Sequence, residues 1–332
     1  NPRNLILNQL KADLNSKKQT YADKFDCKEI SNAISEIFYV ISNALSSQSI
    51  FMASNYYLNL AKYLNPEFTS YEALYAENIM VADRYMEAKK IFNSIKKKGV
   101  SYGWFATKRL AFILEKQNDK EASIKLVTKD FEKILNPDVY IIFDFAEFLK
   151  NNEKFEKSIE YYSKALSMIN KTHPLYHEIM DGRGISYERA GEWKKAENDL
   201  LNSLKSMPDQ AYVINYLAYS WIEKGINIEK SLAMLKKANS LKSNDGYITD
   251  SLGWAFFKLK KFTQAKLYLQ KAVKLMPSDP IINDHYADAL WMTGERIQAR
   301  YYWNYVLKLE KAEDNLRNKV KNKIIYGVRS EL

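Results

Sequence analysis

Thiol chemistry is almost missing from this chain: Cys27 is its one cysteine, which excludes an internal disulfide and a cysteine-built metal site. Turn formers are scarce too, with 10 Gly and 7 Pro in 332 residues, too few for a sandwich or barrel of many short strands. Long apolar runs are absent. Stretches such as Ile37 to Val40 and Val139 to Phe143 fall far short of the roughly 18 residues that cross a bilayer. No glycine-rich phosphate loop and no metalloprotease motif is found, and there are only three histidines. Arginine is under-represented: the net charge is +10, yet nine of the 50 basic residues are Arg. The planar guanidinium fork is what phosphate and base recognition exploit, so a dispersed lysine surplus makes nucleic acid or an anionic membrane surface the alternative partner, not the leading one. The chain begins at Asn1 without a basic start and apolar run, so the expectation is that any targeting segment has been removed or was never there, and that an upstream portion exists.

What is present is material for a large core, 46% apolar and 14% aromatic, with 27% charged residues to solvate the outside. At 332 residues the chain exceeds a single-core domain and must divide or grow by repetition. Repetition is visible. In the segment Asp245 to Asp279, Leu252, Gly253 and Phe256 are followed by Ala265, Leu269, Ala272 and Pro277. Two helices joined by a short turn approach closely only where small side chains sit at the crossing, so Gly or Ala is needed there. Phe256 and Leu269 supply bulk between them, and Pro277 stops the second helix.

The same ruler, with a period of about 34 residues, matches along the chain. Ala287, Ala299 and Val306 follow one period on; Gly184, Tyr187, Ala196, Ser203 and Pro208 form an earlier unit. Ala218, Trp221, Ser231 and Ala238 form another, with a one-residue insertion around Gly225 to Asn227. Ala146, Ser158, Tyr162 and Ala165 fit, as do Ala76, Ala88 and Phe92, and Ser42, Ser54, Leu58, Ala61 and Pro66. The stretch from Val100 to Pro137 fits worst: with Ala122 at the crossing, Lys129 takes a position that should be small or apolar. The reading is an all-α, right-handed superhelical solenoid of about eight helix pairs. A short helix at Asn4 to Leu14 and a polar linker from Lys11 to Lys28 precede it, and the helix Asp314 to Ile325, with Leu316, Val320 and Ile324 at helical spacing, caps it. Residues 1–28, 29–136, 137–311 and 312–332 are the expected divisions.

These spacings are those of tetratricopeptide repeats (TPR). The runs DGRGISYERAGEWKKAENDLLNSL, INYLAYSWIEKG, DGYITDSLGWAFFKL and PIINDHYADALWMTGERIQARYYWNYVL resemble the C-terminal blocks of long envelope-associated proteobacterial TPR proteins, often lipoproteins. The resemblance implies an export signal on the full-length protein, residence in the periplasm or on a membrane face through tethering of the whole protein, and a scaffold role. A relative of this kind acts as an adaptor for a carboxyl-terminal processing protease. The residues themselves leave a cytoplasmic location and the oligomeric state open.

The expected function is a non-catalytic scaffold that binds a peptide or partner protein, without cofactor or metal, along the groove lined by the first helix of each pair. Inward positions are Tyr212, Asn215, Tyr216, Tyr219, Tyr247, Asp250, Ser251, Trp254, Phe257, Asp284, His285, Asp288 and Trp291. They are aromatic, acidic and amide-bearing, with Tyr216 and Trp254 the foremost candidates, while lysines such as Lys236, Lys237, Lys266 and Lys271 fall on second helices. Relatives that grip acidic chaperone C-termini use Lys, Asn and Arg at one inward position; here it holds Asp181, Asn215, Asp250 and Asp284, which suits a neutral or basic ligand. His173 and His177 are not expected to seat a metal, since Pro174 places His173 ahead of a helix. Asp284, His285 and Asp288 crowd together without a nucleophile. Arg183, at a usually apolar position, is expected to pair with a carboxylate between helices.

Overall fold

The computed structural model describes residues 4–15, 29–66 and 68–328, and among these the chain is entirely helical and turn. Past Asn15 the expected linker lies outside the described residues; its first part, from Lys11 to Asn15, continues the first helix, α1 (Leu5–Asn15). Two compact units are formed, Asn1–Phe145 and Ala146–Leu332.

In the first unit, α2 (Ile30–Ser47) packs on α3 (Phe51–Leu64), α4 (Thr69–Val81) on α5 (Tyr85–Ile95), and α6 (Val100–Lys116) on α7 (Lys120–Glu132). Helix α8 (Val139–Asn151) spans the boundary. The second unit continues with α9 (Phe155–Ser167) against α10 (Tyr176–Arg189), which packs on α11 (Trp193–Ser206). Three more pairs follow: α12 (Ala211–Glu223) with α13 (Ile228–Leu241), α14 (Gly246–Lys258) with α15 (Phe262–Leu275), and α16 (Pro280–Met292) with α17 (Arg296–Lys308). Helix α18 (Asp314–Tyr326) closes the row.

The small residues of the repeat sit where the helices cross. Ser42, Ser54, Ala76, Ala88, Ala146, Ser158, Ala196, Ala218, Ser231, Ala265, Ala287 and Ala299 are all 0% exposed. Bulk is excluded there by contact: a Cβ added to Gly253 would lie 2.6 Å from Leu269 Cγ. Serine is accommodated at such a crossing where its hydroxyl finds a backbone acceptor, as Ser54 Oγ does at the Ser42 carbonyl, 2.9 Å away, although Ser231 Oγ is buried without one.

The worst-fitting repeat is corrected by one residue. Ser123, not Ala122, is fully buried at the crossing, and Asp130 rather than exposed Lys129 takes the later position. Asp130 accepts a hydrogen bond from Thr107 Oγ1 at 2.9 Å and pairs with Lys96. A buried carboxylate is tolerable only with such partners, which is why the apolar pattern fails here although the geometry holds.

Each turn between the two helices of a pair contains a left-handed residue: Ser49, Asp83, Asn118, Glu153, Gly191, Gly225, Lys260 and Gly294, with φ between 59° and 89°. Only three of these are glycine. The scarcity of glycine thus coexists with eight turns that favour it.

At the C-terminal end Leu316, Val320 and Ile324 pack on the core of the last pairs, as the helical spacing predicted. Arg317 fastens the cap by donating from Nε to the Ala312 carbonyl at 2.9 Å and from its other nitrogens to the carbonyls of Leu309 and Leu307. These carbonyls at and beyond the end of α17 lack helical partners, and a guanidinium satisfies several at once.

Candidate functional site

The first helices touch one another along the second unit, α12 on α14 and α14 on α16, so their shared face is a continuous surface. Side chains from successive repeats are linked across it. Tyr216 Oη donates to Glu188 at 2.9 Å, Trp254 Nε1 donates to Glu223 at 2.7 Å, and His285 Nδ1 lies 3.0 and 3.1 Å from the two oxygens of Asp250. The last rung comes from the cap. Lys323 Nζ donates to both oxygens of Asp284 at 2.8 and 2.9 Å and to Asp288 at 2.7 Å, while Trp303 Nε1 donates to Asp288 at 3.1 Å.

Burial governs the electrostatics of this ladder. Burial raises the phenols of Tyr216 and Tyr219, and the carboxylates Glu188 beside the first and Glu223 and Asp250 near the second raise them further. Burial opposes a charged His285, but Asp250 first, then Asp284 and Asp288, outweigh it and hold its pKa above the usual value. Burial likewise opposes a charged Lys323, and Asp288 and Asp284 overcome it.

The thirteen sequence-predicted residues fall into three groups. Phe257 is 1% exposed and packed between Trp254 and Phe262, so it belongs to the core and presents no surface, a correction to its expected role. Trp254 is 8% exposed, flat against Phe257 and His285, and Ser251 is buried with its hydroxyl on the Tyr247 carbonyl. Asp250, Asp284, His285 and Asp288 are buried in the ladder. Asn215, Tyr216, Tyr219 and Trp291 are half-buried, and Tyr212 and Tyr247 are exposed, at 56% and 54%. Tyr212 Oη donates to Asp245 at 3.1 Å, and Tyr247 stands one repeat on, beside Asp279. Asp245 and Asp279 cap the N-termini of α14 and α16, so the two tyrosines form a repeated lip.

Two oxygens on this face stay unused. Asp181 Oδ1 and Asn215 Oδ1, on neighbouring first helices, are buried without a hydrogen-bond partner. Burial pushes the Asp181 carboxyl up to about 6, against the pull of Lys150 and aided by Glu147 and Glu178. Sequence reasoning missed Glu188, Glu223, Lys323 and Trp303 as members of the face. Glu188 and Glu223 recur in the last turn of their helices, a signal that was available; Lys323 and Trp303 reach it from elements outside the first-helix pattern.

Other expectations are settled by geometry. Arg183 Nε donates to Asp199 at 2.6 Å, the interhelical carboxylate expected for it. His173 precedes α10 and accepts from the Leu175 N–H at 3.1 Å. Two second-helix lysines recur in role: Lys237 donates to the Pro208 carbonyl at 3.0 Å, and Lys271 to that of Ser243 at 2.7 Å. Among the described residues no helix is long and apolar enough to cross a membrane.

A family model for the tetratricopeptide repeat matches residues 108–312. The TPR repeat-containing protein PA4667 of Pseudomonas aeruginosa is 28% identical over 136 residues, a match spanning 41% of this chain and 22% of that protein. Among solved structures, a tetratricopeptide repeat protein of Parabacteroides merdae is similar over 66% of this chain and 86% of its own, with a TM-score of 0.50 and 18% identity. MamA of Desulfovibrio magneticus RS-1 aligns over 55% of this chain and 99% of its own, with a TM-score of 0.46 and 15% identity.

Proposed function

Because the chain belongs to the tetratricopeptide-repeat family, we propose that it is a non-catalytic scaffold whose second unit holds a segment of a partner protein along the face of its first helices. The observation that carries this reading is the pair of unpartnered oxygens on Asp181 and Asn215. Buried polar atoms normally find partners, and leaving one unmet costs about 1–3 kcal/mol. The carboxylates, indoles and His285 of the ladder are engaged by the chain itself, whereas these two acceptors suit N–H donors supplied from outside. The exposed rings of Tyr212 and Tyr247 at the lip add contact area of the amphipathic kind enriched at interfaces.

The ligand chemistry follows from what faces it. Carboxylates dominate, so the segment is neutral or basic, with backbone N–H groups or a lysine or arginine at Asp181. Work in the envelope, as an adaptor for a processing protease, is the finer proposal and rests on the sequence resemblance. A polyanion-binding lysine face has less support, because Lys237 and Lys271 are engaged in tying α13 and α15 to the turn of the preceding repeat.

Photo-cross-linking in the source cell tests this. With a photoreactive side chain at position 212 or 247, the expected product is a specific protein adduct that is lost when Asp181→Leu and Asn215→Leu are added. Adducts formed only from second-helix positions such as Lys194 or Lys236 would overturn it.

A further inference from the structure

Helix α2 opens the first repeat with a face that later first helices bury. Five residues before its crossing residue Ser42 stands Ile37, and the same place is held by Tyr71, Ile179, Val213, Ile248 and Ile282 in α4, α10, α12, α14 and α16. Those five are 0–4% exposed, whereas Ile37 is 58% exposed. Two residues after the crossing, Asn78, Ser186, Ser220, Ala255 and Ala289 are buried, while Ala44 is exposed.

In the later repeats the cover is the second helix of the preceding pair. Tyr71 clusters with Leu58 and Ala61 of α3, Val213 with Leu200 of α11, and Ile248 with Ala238 of α13. Among the described residues α1 is the one helix ahead of α2, and it is seated on α6, where Gln9 accepts the Ser101 N–H at 2.9 Å. The open face of α2 therefore continues the repeat-to-repeat interface, and its shape is that of a seat for a helix.

The character of the face identifies that helix. Ile30, Ile34, Ile37, Ile41 and Ala44 recur in alternating steps of four and three, the spacing of a helix-to-helix seam, with Val40 exposed beside them. The stripe is centred on Ile37. A second α2 laid antiparallel on it sets Ile37 against Ile37, Ile34 against Val40 and Ile30 against Ala44, so the bulky end of each stripe meets the small end of the other. Charge does not oppose the pairing, because Glu36 is the one charged side chain of α2 and is engaged by Tyr71 Oη, which donates to it at 3.3 Å. The C-terminal cap offers no comparable stripe: α18 exposes Asn318, Lys319 and Lys321, with Ile325 and Tyr326 only in its last turn.

We propose that α2 is the interface of a two-fold dimer, in which a second copy of this chain covers the stripe, antiparallel and centred on Ile37. Such a contact presents the same patch from both copies and closes at two. It lies in another unit than the scaffold face, so its failure leaves the cross-links from positions 212 and 247 untouched.

Sedimentation equilibrium of the full chain is the test. A seam built on one helix pair belongs to the weak end of interface sizes, so the mass is expected to rise from one chain to two between ~1 and ~200 µM. Ile37→Glu and Ile37→Lys should each stay monomeric with the helix content of the wild type, and mixing the two in equal amounts should restore the dimer, since position 37 faces its own copy. A wild type that stays monomeric at ~200 µM would overturn the proposal and leave the face to a helix of another protein. A dimer that both variants retain, or a mixture that fails to associate, would overturn it as well. Should the variants unfold, hydrogen exchange on the wild type decides: protection of α2 is expected to rise with concentration and that of α18 to stay constant, and an unchanged α2 would sink the dimer.

Discussion

Trp254 lies face to face with His285, ring centroids 4.0 Å apart and planes 10° from parallel, and is stacked on Phe257 as well at 4.7 Å. The stack joins consecutive repeats, and Asp250 holds the histidine from the repeat before. Its charge is sensitive to pH. The folded-state pKa of His285 is raised above the ordinary histidine value of 6.5, so the contribution of the pair is full below that value and is lost as pH rises through the folded pKa. The stability lead of the wild type over His285→Gln should therefore be largest near pH 6 and shrink at alkaline pH, measured as Tm across the range.

Asp181 shows the converse cost. Burial pushes its carboxyl up to about 6 in the folded chain against an ordinary aspartate value of 3.8, so the penalty of the buried charge grows between those values and is complete above them. Asp181→Asn should stabilise the free protein by up to ~3 kcal/mol at pH 7.5 and by almost nothing at pH 4, as read from urea unfolding. The same change should weaken a basic ligand.

Arg183 and Asp199 form a pair whose carboxylate side chain is 3% exposed. Arg183→Ala strands that charge and is expected to cost ~3–5 kcal/mol, whereas joint replacement by Met and Leu should be far milder. A denaturant double-mutant cycle separates the two outcomes.

Gly182 packs against the bond that Tyr162 donates to Glu147. A Cβ at that position would lie 2.5 Å from the tyrosine oxygen and 2.9 Å from the carboxylate. Gly182→Ala is expected to lower stability by about 1–3 kcal/mol, and Tyr162→Phe in the same chain should restore part of it.

Lys260 and Glu153 hold φ near 60° in turns where other repeats use glycine. Exchange of Lys260 for glycine should raise stability by roughly 0.5–1 kcal/mol, the relief of left-handed strain less the entropy added to the unfolded chain. A fall in Tm would mean that the lysine side chain supplies something the turn needs.

The repeat was legible in the sequence because its cause is local and periodic. Gly253 and Ala265 must be small wherever two helices cross, so the requirement recurs about every 34 residues and needs no knowledge of distant partners. The C-terminal cap and the Arg183 pair were legible for similar reasons, one from helical spacing and one from a charge at an apolar position. The register around Ser123 and Asp130 was not, because a buried carboxylate resembles an exposed position until its partners Thr107 and Lys96 are in place.

Which inward side chains are free was decided only by the tertiary structure. Periodicity puts Trp254, His285 and Asp284 on the same face as Tyr212 and Tyr247, but exposure depends on what other elements bring to that face. Lys323 arrives 39 residues after Asp284, and Ser101 receives Gln9 from 92 residues earlier. A helix pattern fixes direction around an axis; occupancy is a long-range property, and only the folded chain sets it.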